Sequence, residues 1–447
     1  MAIAENTERA ALKPLRATRD SWWTLAVLFC VYFFCLLDRY IISMLVPDIK
    51  AELALTDIEM GLILGPAFSL FYAFFGIPIG WASDIFPRRW IVFFGVLLFS
   101  LATAFTGLAG GFVTLFLARI LVGVGEASVS PSANSLLADK FPRKQLATAI
   151  SIYHIGVKIG TASSYVIGGA GLAISAAVVS MLPFLAGLAP WRIVIMTCGV
   201  PAVAFALLVF TFREPPRPAR TQSDVGPANL FRFLRKEAGL LLPLLTGFTL
   251  IAFSANCMAG WVPTYLVREF GWSRAEFGPI LGVIGLITAA TLVFKGIAMD
   301  WLFDKGMKDI HVRFYTWLLA VTTPIGIALF FISNTWLFVL CYALVQIVAV
   351  PITAYVATVV QVITPVRLRG QMLASVSFCM IILGGFGPTV IGMLTDLVFK
   401  DEAKVGYSLA IVISLAFPGA LLLLRTTLKP LRALVLEIEA QDMQPQA

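Results

Sequence analysis

The residues Gly80-Trp81-Ala82-Ser83-Asp84 and Gly296-Ile297-Ala298-Met299-Asp300 share a Gly-x-Ala-x-Asp pattern, and each closes the second long apolar stretch of its half of the chain. Asp300 follows Asp84 by 216 residues, and Pro263, closing the opening stretch of the second half, follows Pro47 by the same 216. Thr56-x-x-Glu59-x-Gly61 matches Ser273-x-x-Glu276-x-Gly278 at 217, a slip of one residue. Both read as capping boxes, in which the hydroxyl accepts one orphan N–H and the Glu another. A chain that repeats itself after half its length is two copies of one unit, an organisation common among transporters.

The chain is 59% hydrophobic and 13% charged, with mean hydropathy +0.91, which excludes a soluble domain. Twelve apolar stretches reach the ~20 residues that a spanning helix needs. They fall near 22–46, 58–83, 90–109, 112–136, 146–170, 190–212, 239–263, 277–299, 314–333, 335–361, 371–397 and 405–426. The apolar run 171–189 is left over as a long or re-entrant link. The fold expected is all-α, with twelve transmembrane helices in two pseudo-symmetric six-helix bundles. Residues 1–212 would form the first bundle, 213–238 a cytoplasmic linker and 239–447 the second bundle with its tail. Only a charged tail precedes the first span, so no cleavable signal peptide is expected.

Of the 33 Lys and Arg, 24 fall in the tails and even-numbered loops and six in the odd-numbered loops. That asymmetry predicts cytoplasmic termini in a bacterial inner membrane. It also accounts for the net charge of +8 without a nucleic-acid partner. Cys30, Cys35, Cys198, Cys257, Cys341 and Cys379 all lie in apolar spans and read as packing residues, not as disulfides or metal ligands. In the linker, Phe231, Phe233 and Leu234 beside Arg232, Arg235 and Lys236 suit a surface helix on anionic lipid as well as a solvated connection.

These features resemble the major facilitator superfamily over essentially the whole chain. Gly80-x-x-x-Asp84-x-x-x-Arg88-Arg89 looks like its loop motif between spans 2 and 3, with Ile85 where a basic residue is usual and Pro87 where Gly is usual. Arg119-x-x-x-Gly123-x-Gly125-Glu126-Ala127-x-x-x-Pro131 looks like its span-4 motif, and Trp191-Arg192 fits the start of span 6. Leu37-Asp38-Arg39 with Gly125-Glu126-Ala127 resembles the Spinster subfamily. That resemblance implies proton coupling and export of sphingoid phosphates or lysolipids. Span 5 carries Gly156, Gly160, Gly168 and Gly169 without the proline of the antiporter motif, so symport and antiport both stay open.

Asp38, Arg39, Arg119, Glu126 and Lys158 are the ionisable residues well inside spans. A charge in hydrocarbon costs at least ~2.5–3.5 kcal/mol on insertion scales, so each points to function ahead of a fixed ion pair that only locks helices. At 1.5 Å per residue, Asp38 lies ~24 Å up span 1 and Arg119 ~10 Å down span 4. Across a core of roughly 30 Å those levels coincide, and Asp38–Arg119 is the expected pair. Glu126 lies two turns deeper than Arg119 and is expected without a basic neighbour on its own helix. Arg39 projects ~100° around the helix from Asp38, so one of the two is expected to point elsewhere, into the central cavity. Ser151, His154, Lys158 and Thr161 share one face of span 5. By the repeat offsets, Asp38, Arg39, Arg119, Glu126 and Lys158 correspond to Ser254, Ala255, Val339, Gln346 and Gly384, all neutral.

The expected roles follow. Asp38 and Glu126 would carry protons, because burial favours a neutral carboxyl and a guanidinium neighbour the ionised one. Arg39, Arg119, Lys158 and His154 would contact an anionic headgroup, with Phe253, Trp261, Phe378 and Phe386 beside its tail. Asp84 with Arg88 or Arg89, and Asp300 in the second half, would latch the cytoplasmic side. With only His154 and His311, and no Gly-x-Ser-x-Gly or phosphate-binding loop, enzymatic chemistry is not expected. Neither a metal nor a cofactor is expected. A monomer is, with protons, membrane lipids and a small amphipathic substrate as partners. The competing reading is a proton-driven exporter of amphipathic drugs.

Overall fold

A computed structural model describes residues 17–215, 227–348, 353–365 and 368–442. Among them every regular element is helical and there is no strand. The spans lie on Arg19–Leu53, Asp57–Ile85, Arg88–Thr106, Phe112–Lys140, Arg143–Gly169, Pro190–Thr211, Ala238–Phe270, Arg274–Asp304, Ile310–Phe331, Arg369–Phe399 and Glu402–Ile438. Among the described residues ten helices are long and apolar enough to cross a membrane, and eleven if span 5 is counted with the helix that follows it. Span 10 of the sequence reading corresponds to Thr335–Val348 and Thr353–Ile363, with 349–352 outside the described residues. A helix satisfies all its backbone groups within one segment, which is the requirement hydrocarbon imposes.

The run 171–189, expected as a long or re-entrant link, contains a helix. Gly171–Met181 leaves span 5 at 73° and is followed by a turn of 3-10 helix, Pro183–Leu185. It holds no charge, and Leu172, Met181 and Phe184 are 66–79% exposed, as suits a segment within lipid. The linker helix expected around 230–238 runs from Pro227 to Lys236, with Phe231, Arg232, Arg235 and Lys236 exposed.

The chain forms two compact units. One comprises 1–55, 66–222 and 273–282, the other 56–65, 223–272 and 283–447. The two capping-box segments thus each belong with helices of the other half of the sequence. Thr56 accepts from the Glu59 amide at 3.1 Å while Glu59 accepts from the Thr56 amide at 2.8 Å. Ser273 likewise donates its amide to Glu276 at 2.8 Å. The glycine that ends each box explains the packing. A Cβ on Gly61 would meet the Pro388 carbonyl oxygen at 2.6 Å, and one on Gly278 would meet that of Tyr165 at 2.6 Å. Only glycine permits such backbone contact.

Arginine forks secure both segments. In the first unit Arg274 pairs with Asp48 through both carboxylate oxygens. In the second, Arg268 holds Asp57 at 2.7 and 2.9 Å and Glu402 at 2.8 Å. Asp57 is fully buried, and removing one partner of a buried pair costs ~3–5 kcal/mol. Arg268→Ala is therefore expected to lower the melting temperature in detergent sharply, and Asp57→Asn in the same chain to recover part of the loss. An unchanged melting temperature in Arg268→Ala would show that the fork contributes nothing to stability.

Candidate functional site

Two glycines carry span 4 into the first unit. A Cβ on Gly123 would lie 2.6 Å from the Phe68 carbonyl oxygen of span 2, and one on Gly125 would lie 2.6 Å from that of Gly95 on span 3. The helix then breaks. Phe112–Glu126 ends at the acid itself, the Ser128 hydroxyl donates to the Gly125 carbonyl at 2.8 Å, and a second segment runs from Val129 to Lys140. Lys140 bonds Asp20 at 2.6 Å, which ties the far end of span 4 to the start of span 1.

Between those spans stand two ion pairs. Arg119 Nη1 donates to Asp38 at 3.0 Å, the pair expected from depth, and its Nη2 reaches the Arg39 carbonyl at 3.4 Å. Arg39 Nη2 donates to Glu126 at 2.5 Å, a partner the depth count had not supplied. The Arg39 guanidinium also lies 4.2 Å from the Phe68 ring centroid and 5.2 Å from that of Tyr72, within cation–π range. Arg119, Asp38 and Glu126 are at most 5% exposed, whereas Arg39 is 27% exposed. Desolvation of buried ions is offset only by such partners. Glu126 Oε1 nonetheless meets no donor among the described residues, and Arg39 Nε and Arg119 Nε meet no acceptor.

On span 5, the exposed His154 lies edge-on to Tyr32 and Tyr153, which stack on each other at 4.5 Å. Lys158, one turn on and half-buried, differs from both arginines. Among the described residues it has neither a carboxylate nor a hydrogen-bond partner. In the second unit the corresponding positions are satisfied locally. Ser254 donates to the Leu250 carbonyl at 3.0 Å and Gln346 to the Tyr342 hydroxyl at 2.7 Å. Trp261, expected beside a substrate tail, is instead fully buried and donates to the Pro388 carbonyl at 2.9 Å. Its neighbours on that list are more open, Phe253 and Phe378 being partly and Phe386 38% exposed.

At the loop between spans 2 and 3, the buried Arg88 bonds Asp139 at 2.5 Å, Ser135 at 2.8 Å and Glu214 at 2.9 Å. Glu214 also accepts the Arg88 and Arg89 amides at 3.2 and 3.1 Å, and so caps the positive end of span 3. Sequence reading missed this role. Asp139 and Glu214 lie far apart in the chain, and their convergence on Arg88 depends on packing. Asp84 and Asp300 are exposed, and Asp300 lies within electrostatic reach of His311.

The model of the Major Facilitator Superfamily matches residues 28–388. The chain belongs to that superfamily. It is 30% identical over 310 residues to protein spinster homolog 1 of Homo sapiens, an alignment covering 64% of this chain and 55% of that protein. The chain thus spans about half the length of that relative. It is 26% identical over 407 residues to an MFS-type efflux pump of Mycolicibacterium smegmatis, covering 89% of this chain and 90% of the pump. Its fold matches, at TM-score 0.75 and 23% identity, the crystal structure of a bacterial homolog to the human lysosomal transporter Spinster in an inward-facing, unoccupied conformation. That match covers 96% of this chain and all of the other.

Proposed function

We propose that this transporter moves an amphipathic anion, of the lysophospholipid or sphingoid-phosphate class, by alternating access coupled to protons. The observation that carries the reading is Lys158, an embedded lysine with no counter-ion among the described residues, whereas Arg39 and Arg119 each hold a carboxylate. The two ion pairs cancel, so the site keeps one net positive charge, which an anionic headgroup would neutralise. Lys158 is then the primary headgroup contact, with His154 one turn away on the same helix and the partly exposed Arg39 as a further cation. Asp38 and Glu126 are the proton carriers, and the molecule works as a monomer in a bacterial inner membrane with cytoplasmic termini. The 1–212, 213–238 and 239–447 division is the mechanical one, with the two bundles rocking about the substrate.

Lys158→Ala is expected to weaken binding of an anionic lysolipid about tenfold or more, the ~1.5–3 kcal/mol of a hydrogen bond to a charged group. A cationic amphiphile of equal tail length should lose nothing. Microscale binding measurements on purified protein decide this. Near full-length similarity to an efflux pump favours a second reading, export of amphipathic drugs. That reading predicts the opposite order, with the cation bound more tightly and insensitive to Lys158.

Asp84, Arg88, Arg89 and Asp300 are proposed to latch the cytoplasmic side. Asp84 closes a helix C-terminus, where the macrodipole disfavours a carboxylate unless a cation or another helix N-terminus compensates it. Asp84→Asn is expected to shift the population toward inward-open, read as longer distances between spin labels on spans 2 and 11. Unchanged distances would overturn the latch.

A further inference from the structure

The linker helix Pro227–Lys236 has two faces of different chemistry. Leu230, Phe233 and Leu234, at i, i+3 and i+4, share one face and are partly buried. Arg232, Arg235 and Lys236 stand on the opposite side, within an arc of about 100°, and all three are exposed. Arg232 and Arg235 make no ion pair or hydrogen bond among the described residues, and Lys236 meets only Glu237, at 3.3 Å. Phe231 stands at the edge of the apolar face, about 40° from Arg235, and is 68% exposed. A solvated linker leaves that ring in water, whereas a membrane surface offers it acyl chains and offers the arginines phosphates.

Hydrocarbon is close by. Glu237 alone separates this helix from span 7, and Leu242, six residues after Lys236, is already 66% exposed. At 1.5 Å per residue that is ~9 Å. Span 12 brings more cations to the same level. A Cβ on Gly247 would meet the Leu424 side chain at 2.9 Å, and one on Gly406 would meet the Tyr265 ring at 2.5 Å. Tyr265 follows Gly247 by 18 residues and Gly406 precedes Leu424 by 18, so spans 7 and 12 pack antiparallel along their length. Lys429 is thus level with Leu242, and Arg432 with Gly239, next to the break at Glu237. With Arg425 they stand at i, i+4 and i+7 on the exposed face of span 12, without an ion pair among the described residues.

We propose that the linker helix lies on the leaflet at the start of span 7 and binds anionic phospholipid headgroups there, with Phe231 inserted among the acyl chains. Charge complementarity selects the occupant. Arg232 and Arg235 hold no carboxylate, and Lys429 and Arg432 gather further phosphates at their level. Arginine's planar fork suits a phosphate diester. This face belongs wholly to the second unit, whereas Lys158 belongs to the first, and it serves the same role whatever the substrate.

Phe231→Trp places a reporter at this edge. In full-length protein reconstituted in nanodiscs, the emission it gains over the unmodified protein isolates that position. With phosphatidylglycerol, brominated acyl chains are expected to quench the gained emission, and aqueous acrylamide to reach it poorly. With phosphatidylcholine the order should reverse. One basic residue's attraction to an anionic surface is worth about fivefold, so adding Arg232→Gln and Arg235→Gln should lower the ratio of lipid to acrylamide quenching in phosphatidylglycerol about 25-fold. Acrylamide quenching that is equal in the two lipids would make the helix a solvated connection and overturn the assignment. A preference for phosphatidylglycerol that survives the double substitution would overturn it as well.

Discussion

Glu126→Gln is expected to abolish proton-driven transport while leaving a folded protein that still exchanges substrate. The amide is nearly isosteric with the acid, and its carbonyl can still accept from Arg39, which the 2.5 Å contact places directly against it. Arg39 loses a counter-charge, but it is 27% exposed and stacked on Phe68 and Tyr72, so it tolerates the loss better than a sealed cation would. What the amide cannot do is take up and release a proton as the site changes its exposure to water. In proteoliposomes, uptake driven by a pH gradient should fall to the rate seen without one, and the remaining counterflow should lose its dependence on pH. Uptake that still responds to the gradient in both Glu126→Gln and Asp38→Asn would place coupling elsewhere.

The two ion pairs differ in how legible they were, and the reason is geometric. Asp38–Arg119 could be read because helical rise alone sets the level of each Cα, and the two levels coincide. Arg39–Glu126 could not, since it depends on the reach of an arginine side chain and on the break that ends a helix at Glu126. A count along a straight span 4 ignores both. The same limit applies to 171–181, where an uncharged apolar run cannot signal a 73° turn. It applies again to Trp261, whose indole found a carbonyl at Pro388 that only packing brings near. The capping boxes, by contrast, were visible because their chemistry is local. Their glycines showed in the repeat, but the carbonyls those glycines approach did not.

The neutrality of the second unit at the repeat-equivalent positions sharpens the reading of the first. Ser254 and Gln346 bond within their own helix, one turn away, and leave no unpaired charge there. An insertion cost of several kcal/mol per charge has therefore been retained in one copy of the repeat only. In the proposed mechanism the first unit senses protons and the headgroup, while the second supplies moving apolar surface.

Arg119→Ala should be the most damaging single substitution for the folded state. Its guanidinium is 2% exposed and faces an Asp38 carboxylate that is 5% exposed, at 3.0 Å. Removing it strands a carboxylate that is 5% exposed, and drops the second contact to the Arg39 carbonyl at 3.4 Å. The expected loss is ~3–5 kcal/mol, seen as a large fall in melting temperature and in the monodisperse fraction after detergent extraction. Arg119→Lys should recover only part of it, because one ammonium cannot reproduce a planar fork that reaches two acceptors. Asp38→Asn combined with Arg119→Ala should regain most of the stability, since replacing both members of a buried pair by neutral groups is often close to neutral. Transport should remain absent in that double variant if Asp38 carries a proton. A double variant no more stable than Arg119→Ala alone would mean that the stranded charge is not the cause of the loss, and that Arg119 stabilises the bundle by packing.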